Sequence, residues 1–305
     1  MASESTAGLS DVKPPESIAR AGASSLVRVD LAGLSDPGRV RKTNEDHFMA
    51  ARFDRTMRTL ISNVRSGHVP AEFAETCFAF LVADGVGGAA GGEVASETAL
   101  RSIVGMILRS PKWALKLDDP DTRDAEIDSL LTRSRGYLQR MHALIRERQA
   151  EDPQLAKMGT TLTAAYAVGV DLFVLHVGDS RAYVLRRGLL HRITHGHTLA
   201  QQYADQGVLP QSEVDEHPLA HVLTRAVGAP VDTLEVDTHH RDIESGDRLL
   251  LCSDGLTKTA SDDEIAAVLN RPGDSDSACR ALIELALARG ASDNVTAIVA
   301  TYSVA

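Results

Sequence analysis

Apolar and polar positions first fall into a regular pattern near Leu26, where Val27, Val29 and Leu31 alternate with polar neighbours as in a strand with one buried face. Asp36-Pro37-Gly38 signals a turn, and His47-Phe48-Met49-Ala50 opens the next extended piece. Residues 51–76 carry no clean period and read as a loop insertion with a short helix. Residues 77–83 form an unbroken apolar run, the mark of a buried strand. Over residues 92–109 the apolar positions Val94, Leu100, Val104 and Ile107 have helical spacing. A second long helix is predicted over 124–149 from Ile127, Leu130, Leu131, Leu138, Met141 and Ile145, after an Asp-rich linker bracketed by Pro111 and Pro120.

The period then changes. Residues 160–168, 172–177, 181–185 and 189–193 read as successive short strands, and 198–206 as a short helix in a polar region. Residues 234–236 and 248–252 are strand-like again, with His239-His240 in a loop between them. Residues 262–269 and 276–289 are helical, and 295–302 form a last strand. The strands after residue 160 follow one another too closely for helical crossovers, so they pair antiparallel. The predicted fold is α+β, an α-β-β-α sandwich of two antiparallel sheets flanked by helices. Residues 1–25, rich in Ala, Ser, Gly and Pro, are expected to be a disordered or loosely docked tail on a single domain covering 26–305.

Composition narrows the function. A formal charge of −10 argues against a general nucleic-acid or anionic-membrane binder. Apolar runs reach only about ten residues, short of the roughly 20 needed to span a bilayer. Residues 1–5 carry no basic, apolar secretory signature, and Cys77, Cys252 and Cys279 form neither a disulfide framework nor a zinc spacing; both point to the cytoplasm.

Two apolar runs end in Asp-Gly: Phe80-Leu81-Val82-Ala83-Asp84-Gly85 and Leu249-Leu250-Leu251-Cys252-Ser253-Asp254-Gly255. Asp179 follows a third run and Asp293 precedes the last. Each alone has an ordinary reading. Asn44-Glu45-Asp46 suits a solvated turn, Asp84-Gly85 a hairpin, Gly178-Asp179-Ser180 another turn, and Asp293-Asn294 a lead into a strand. The glycines at 85, 87, 88, 91 and 92 suggest a nucleotide loop, but no Walker lysine follows. Jointly, four acids abutting strand ends look like oxygen ligands gathered at one sheet edge, the chemistry that Mg²⁺ and Mn²⁺ prefer.

Together with Arg41-Lys42-Thr43-Asn44-Glu45-Asp46, Met158-Gly159-Thr160-Thr161, Leu223-Thr224-Arg225-Ala226-Val227-Gly228 and Gly290-Ala291-Ser292-Asp293-Asn294-Val295-Thr296, these segments in this order resemble the metal-dependent, type-2C protein serine/threonine phosphatases, in particular their bacterial branch. The resemblance covers about residues 26–303. It implies hydrolysis of phosphoserine and phosphothreonine on proteins by a water activated between two Mn²⁺ or Mg²⁺ ions, with a third, weaker ion. It implies that Asp84 bridges the two ions, that the Gly85 carbonyl binds one of them, and that Asp254 and Asp293 bind the other. Asp179 would help hold the third ion with Asp254. Glu45 and Asp46 would orient waters on the ions, and Arg41 would bind the phosphate. Residues 196–230 would be the family's flap. The implied partners are phosphorylated proteins, a Ser/Thr kinase and its substrates; no nucleic acid, no membrane, and a monomer.

The chemistry suits those residue types. Phosphate monoesters hydrolyse so slowly unaided that catalysts reach accelerations on the order of 10²¹. Paired cations lower the pKa of water and offset phosphoryl charge, and guanidinium grips phosphate bidentately. Some members carry a proposed general-acid histidine after Asp-Gly; here Val86 stands there. Among His197, His217 and His221, all in the flap-like segment, His221 is the best placed to reach substrate, just before Leu223-Thr224-Arg225. His176 reads as a packed or surface side chain within a strand, and Arg181 as a structural partner of a carboxylate. Residues 51–76 read as an inert loop in preference to a partner-recognition insertion, and Trp113 with residues 118–121 as linker surface. Two rival readings stand beside the phosphatase. One is a non-catalytic phosphoprotein-binding pseudophosphatase, which predicts a missing carboxylate; the other is a hydrolase of small phosphate esters.

Overall fold

The computed structural model describes residues 27–65, 68–87, 90–109, 117 and 120–304 of the 305-residue chain. The predicted tail (1–25), Pro111 and Trp113 lie outside the described residues. Two antiparallel sheets stack face to face. One has the order β1 (Val27–Asp36), β11 (Val295–Val304), β10 (Arg248–Cys252), β7 (Arg181–Arg186), β8 (Leu189–Arg192). The other runs β2 (Asp46–Arg58), β3 (Glu72–Val86), β5 (Leu162–Val168), β6 (Asp171–Val177), β9 (Asp237–Asp242), with the short β4 (Gly159–Thr160) pairing the end of β3. Helices α1 (Ala90–Arg109) and α2 (Pro120–Glu151) cover the second sheet. Helices α4 (Asp254–Thr257), α5 (Asp262–Leu269) and α6 (Ser275–Ala288) cover the first. Helix α3 (Leu199–Asp205), N-capped by Thr198, lies in the 196–230 segment. This is the α-β-β-α sandwich that the spacing predicts.

The unbroken apolar runs follow from that layering. In β3, Phe80 and Val82 pack between the sheets against Leu249, Leu251 and Ile298. Leu81 and Ala83, pointing the other way, pack under α1 and α2 with Leu138, Met141 and Ile145. A strand covered on both faces shows no alternation, because both sets of side chains leave water.

Three segments depart from the predicted elements. Over the described part of 51–76 there is no helix: β2 and β3 continue as one long hairpin, from Asp46↔Asp84 to Arg58↔Glu72. Its outer half is held by cross-strand ion pairs, Arg55–Glu75 at 2.5 Å and Arg58–Glu72 at 3.2 Å, so its strands lack the apolar period. Residues 234–236 are not a strand. The Leu234 amide donates to Gln139 Oε1 at 3.0 Å and its carbonyl accepts from Gln139 Nε2, so this backbone is tied to α2 instead of a sheet. The strand begins at Asp237 and contains His239 and His240; the His240 ring stacks on Phe173 at 4.7 Å and bonds Asp171. Pro120 is the first residue of α2, a position where a missing N–H costs nothing.

A candidate metal centre at the strand ends

β3 and β10 belong to different sheets, yet both deliver their Asp-Gly to the same end of the sandwich. Neither Gly85 nor Gly255 has a positive φ; each is needed for the absence of a side chain. A Cβ on Gly255 would lie 2.0 Å from the Asn294 carbonyl oxygen, and one on Gly85 would lie 2.3 Å from that of Gly92. Asp179 sits in the β6–β7 turn, where Gly178 takes φ +115°. Asp293 immediately precedes β11.

The remaining motif residues hold these turns. The Asp84 carbonyl accepts from the Thr161 amide at 2.8 Å and from Thr160 Oγ1 at 2.9 Å, while its amide donates to Thr161 Oγ1 at 3.0 Å. Asn294 fastens the 37–45 loop: Oδ1 accepts from the Glu45 amide at 2.8 Å, and Nδ2 donates to the carbonyls of Pro37 at 3.0 Å and Thr43 at 2.9 Å. The His197 amide donates to the Gly178 carbonyl at 2.7 Å, and its Nδ1 accepts from the Gly178 amide at 3.1 Å. That acceptor role leaves the proton on Nε2, which faces Asp237 Oδ2 at 3.1 Å. His197 is therefore a buried clasp on the Asp179 turn.

Carboxylate oxygens of Asp84, Asp179 and Asp254 lie within 4.8 Å of one another. Asp293 joins them through cations. Its Oδ1 is 2.9 Å from Arg41 Nε and its Oδ2 is 3.0 Å from Lys258 Nζ, and the same ammonium is 2.5 Å from Asp254 Oδ2. Burial, then the neighbouring acids, holds Asp84 well above the usual carboxylate range. Burial and Asp254 push Asp179 up to about 8. Burial pushes Asp46 up to about 7 although Ser253 and Thr296 donate to it. Burial would raise Asp293 as well, but Lys258 and Arg41 hold it below its ordinary value. Asp46 Oδ1 and Asp254 Oδ1 are buried without a hydrogen-bond partner. Crowded carboxylates, orphaned acceptor oxygens and an all-oxygen donor set are what a hard divalent cation satisfies.

A cleft of about 360 Å³ opens over this cluster, and Arg41, Glu45, Asp84, Gly85, Asp179, Asp254 and Asp293 all line it. Asp46 is set behind it: opposite Asp84 in the β2–β3 register, it accepts from Ser253 Oγ at 2.6 Å and Thr296 Oγ1 at 2.7 Å, tying the two sheets together. His221 lines the cleft, whereas His197 is buried in its clasp and His217 accepts from the Leu219 amide. His176 is fully buried with Nδ1 on Thr163. Arg181 is structural, bonded to Tyr183 and Asp215. Lys258 escaped the sequence reading; its signal is its place four residues after Asp254, which sets both side chains on one side of α4.

A family model described as Protein phosphatase 2C matches residues 68–294. The serine/threonine protein phosphatase PstP of Mycobacterium tuberculosis is 37% identical over 251 residues, 82% of this chain and 44% of that protein. The serine/threonine phosphatase stp of Listeria monocytogenes is 32% identical over 218 residues, 72% of this chain and 82% of that protein. The chain thus spans less than half the length of the mycobacterial relative. The crystal structure of the M. tuberculosis phosphatase PstP/Ppp superposes with a TM-score of 0.67 at 33% identity, covering 90% of this chain and 98% of that one. The catalytic domain of PstP in complex with two manganese ions superposes with a TM-score of 0.68 at 32% identity, covering 91% and 99%.

Proposed function

This chain belongs to the protein phosphatase 2C family, and on that premise we propose that it hydrolyses phosphoserine and phosphothreonine on proteins using two Mn²⁺ or Mg²⁺ ions, with a third held more weakly. The observation that carries the reading is the convergence of Asp84, Asp179 and Asp254, with Asp293 beside them, in one cleft with Arg41. The solved relative with two manganese ions supports the choice of metal.

Asp84, Asp179, Asp254, Asp293 and the Gly85 carbonyl are the groups that would hold the ions. When bound, the ions supply positive charge against the phosphoryl oxygens and make a water acidic enough to attack at neutral pH. Arg41 keeps its side chain about half exposed at the cleft, where its guanidinium can take two phosphate oxygens. Glu45, which burial raises above its ordinary pKa despite Arg41, faces the same cleft as an acceptor for a proton of the attacking water. Asp46, from behind, fixes the strands that carry Asp84 and Asp254. With valine at position 86, we assign the proton delivered to the leaving oxygen to His221, the imidazole that lines the cleft.

The His197 clasp gives a positioning test. His197→Ala should lower Mn²⁺-supported turnover by about 10–100-fold, the usual cost of losing an outer partner of a metal ligand. His197→Asn, whose side chain can still accept from the Gly178 amide, should recover part of that loss. Equal activity of wild type and His197→Ala would remove the clasp from the mechanism.

The substrates of such an enzyme are made by Ser/Thr kinases, so the reading extends to a cytoplasmic, monomeric partner of that signalling, with residues 26–305 as one catalytic domain and 196–230 as its flap. Among the described residues no helix is long and apolar enough to cross a membrane. The pseudophosphatase alternative predicts a lost carboxylate, and all the matching positions are filled. A panel of phosphoserine and phosphothreonine peptides, nucleotides and sugar phosphates with Mn²⁺ decides substrate class. Turnover should be highest on the peptides; faster hydrolysis of the small esters, or none on any substrate, would overturn the assignment.

A further inference from the structure

We propose that Lys258 is a built-in counter-ion of the metal centre, one that an incoming divalent ion must displace, so that this side chain sets how tightly the protein holds its metal. The inference rests on the phosphatase reading for the identity of the ligands, and its geometry stands apart from it. The Lys258 ammonium bridges two acids from different parts of the chain, 2.5 Å from Asp254 Oδ2 and 3.0 Å from Asp293 Oδ2. Both belong to the ligand set, and both give the ammonium oxygens that a cation would take. An ammonium is a compact point charge on a flexible four-carbon stem. It neutralises part of the cluster made by Asp84, Asp179, Asp254 and Asp293. It cannot stay on the same oxygens when a divalent cation binds them, because like charges a few ångströms apart repel strongly in a partly desolvated cleft.

Lys258 lines both the catalytic cleft and an adjoining cavity of about 40 Å³ that includes Asp215 and Gln201. Arg181 and Arg192 line that cavity too, and Asp215 is already paired with Arg181 at 2.6 Å, so no unpaired carboxylate there draws the ammonium away from the acids. Metal binding thus exchanges one cation for another. Apparent metal affinity is the intrinsic affinity of the acids less the cost of breaking two lysine contacts.

The test compares wild type, Lys258→Met and Lys258→Arg as full-length, EDTA-stripped protein, using calorimetric titration with MnCl₂ and thermal melts with and without Mn²⁺. Lys258→Met should bind Mn²⁺ about tenfold more tightly, equivalent to about 1.4 kcal/mol. Its metal-free form should melt lower than wild type, because the acids lose their counter-ion, so its Mn²⁺-induced rise in Tm should be larger. Lys258→Arg keeps the charge and should stay within about threefold of wild type. A lysine that only packs would lower both melts equally and leave affinity unchanged. Lys258→Met binding Mn²⁺ no more tightly than wild type would overturn the proposal while leaving the phosphatase reading standing. Wild type that binds no Mn²⁺ at all would overturn both. If Lys258→Met does not fold, Lys258→Gln carries the same comparison.

Discussion

Asp84→Asn is expected to lower phosphate release from a phosphothreonine peptide at least about a thousandfold and, at the same time, to raise the melting temperature of the metal-free protein. The first effect exceeds the 10–100-fold typical of losing an outer partner, because Asp84 is among the groups proposed to hold the ions directly. The second follows from the sign of its pKa shift. Burial and the neighbouring acids raise Asp84 well above a free carboxylate, so the fold favours its neutral form. At neutral pH the ionised group therefore costs stability, and a neutral amide of the same shape removes that cost. The main-chain bonds from Asp84 to Thr160 and Thr161 do not involve the carboxylate and survive. Turnover assays with Mn²⁺ and thermal melts in EDTA check both halves. A variant that loses activity but also melts lower without metal would mean that Asp84 stabilises the fold and is not a strained ligand. Stability is given up at functional sites in this way when like charges must be held together.

Gly255→Ala should be as damaging by a different route. Its Cβ would fall 2.0 Å from the Asn294 carbonyl oxygen, a main-chain atom that cannot swing aside. Overpacking of a tight interior typically costs 1–3 kcal/mol, and a clash with backbone belongs at or above the upper end, about 3 kcal/mol. Relief of the clash must separate α4 from the start of β11, which moves Asp254 away from Asp293. Urea denaturation and Mn²⁺ titration should therefore fail together, with loss of stability and at least tenfold weaker metal binding. A Gly255→Ala protein with wild-type stability and metal affinity would refute the close approach. Gly136, with open space around it in α2, is the control: alanine there meets nothing within 4 Å and should be neutral or mildly stabilising.

The acids were legible in the sequence because their signal is local: Asp84 and Asp254 end apolar runs as Asp-Gly, Asp179 follows a third run and Asp293 precedes the last. The layering was legible because strands too close for helical crossovers must pair antiparallel. What escaped depends on contacts between distant residues. The outer half of the β2–β3 hairpin looked like a loop because Arg55, Arg58, Glu72 and Glu75 stabilise it by charge across the strands, leaving no apolar period to read. The edge strand β9 is Asp-Thr-His-His-Arg-Asp, with no apolar side chain, whereas the apolar Leu234 beside it is bound to Gln139 of α2. His197 looked like an ordinary loop histidine; its work is done on the Gly178 backbone, which no side-chain pattern records. Lys258 carried no sequence signal apart from its spacing to Asp254, and its partner Asp293 is 35 residues away.

The most direct test of the central claim is phosphate release from a phosphothreonine peptide by EDTA-stripped protein as Mn²⁺ is added back. Converging carboxylates that hold catalytic cations predict no turnover in EDTA and a saturable rise with Mn²⁺ that Asp84→Asn abolishes. Folded protein that is equally active in EDTA, or inactive at millimolar Mn²⁺, would contradict it.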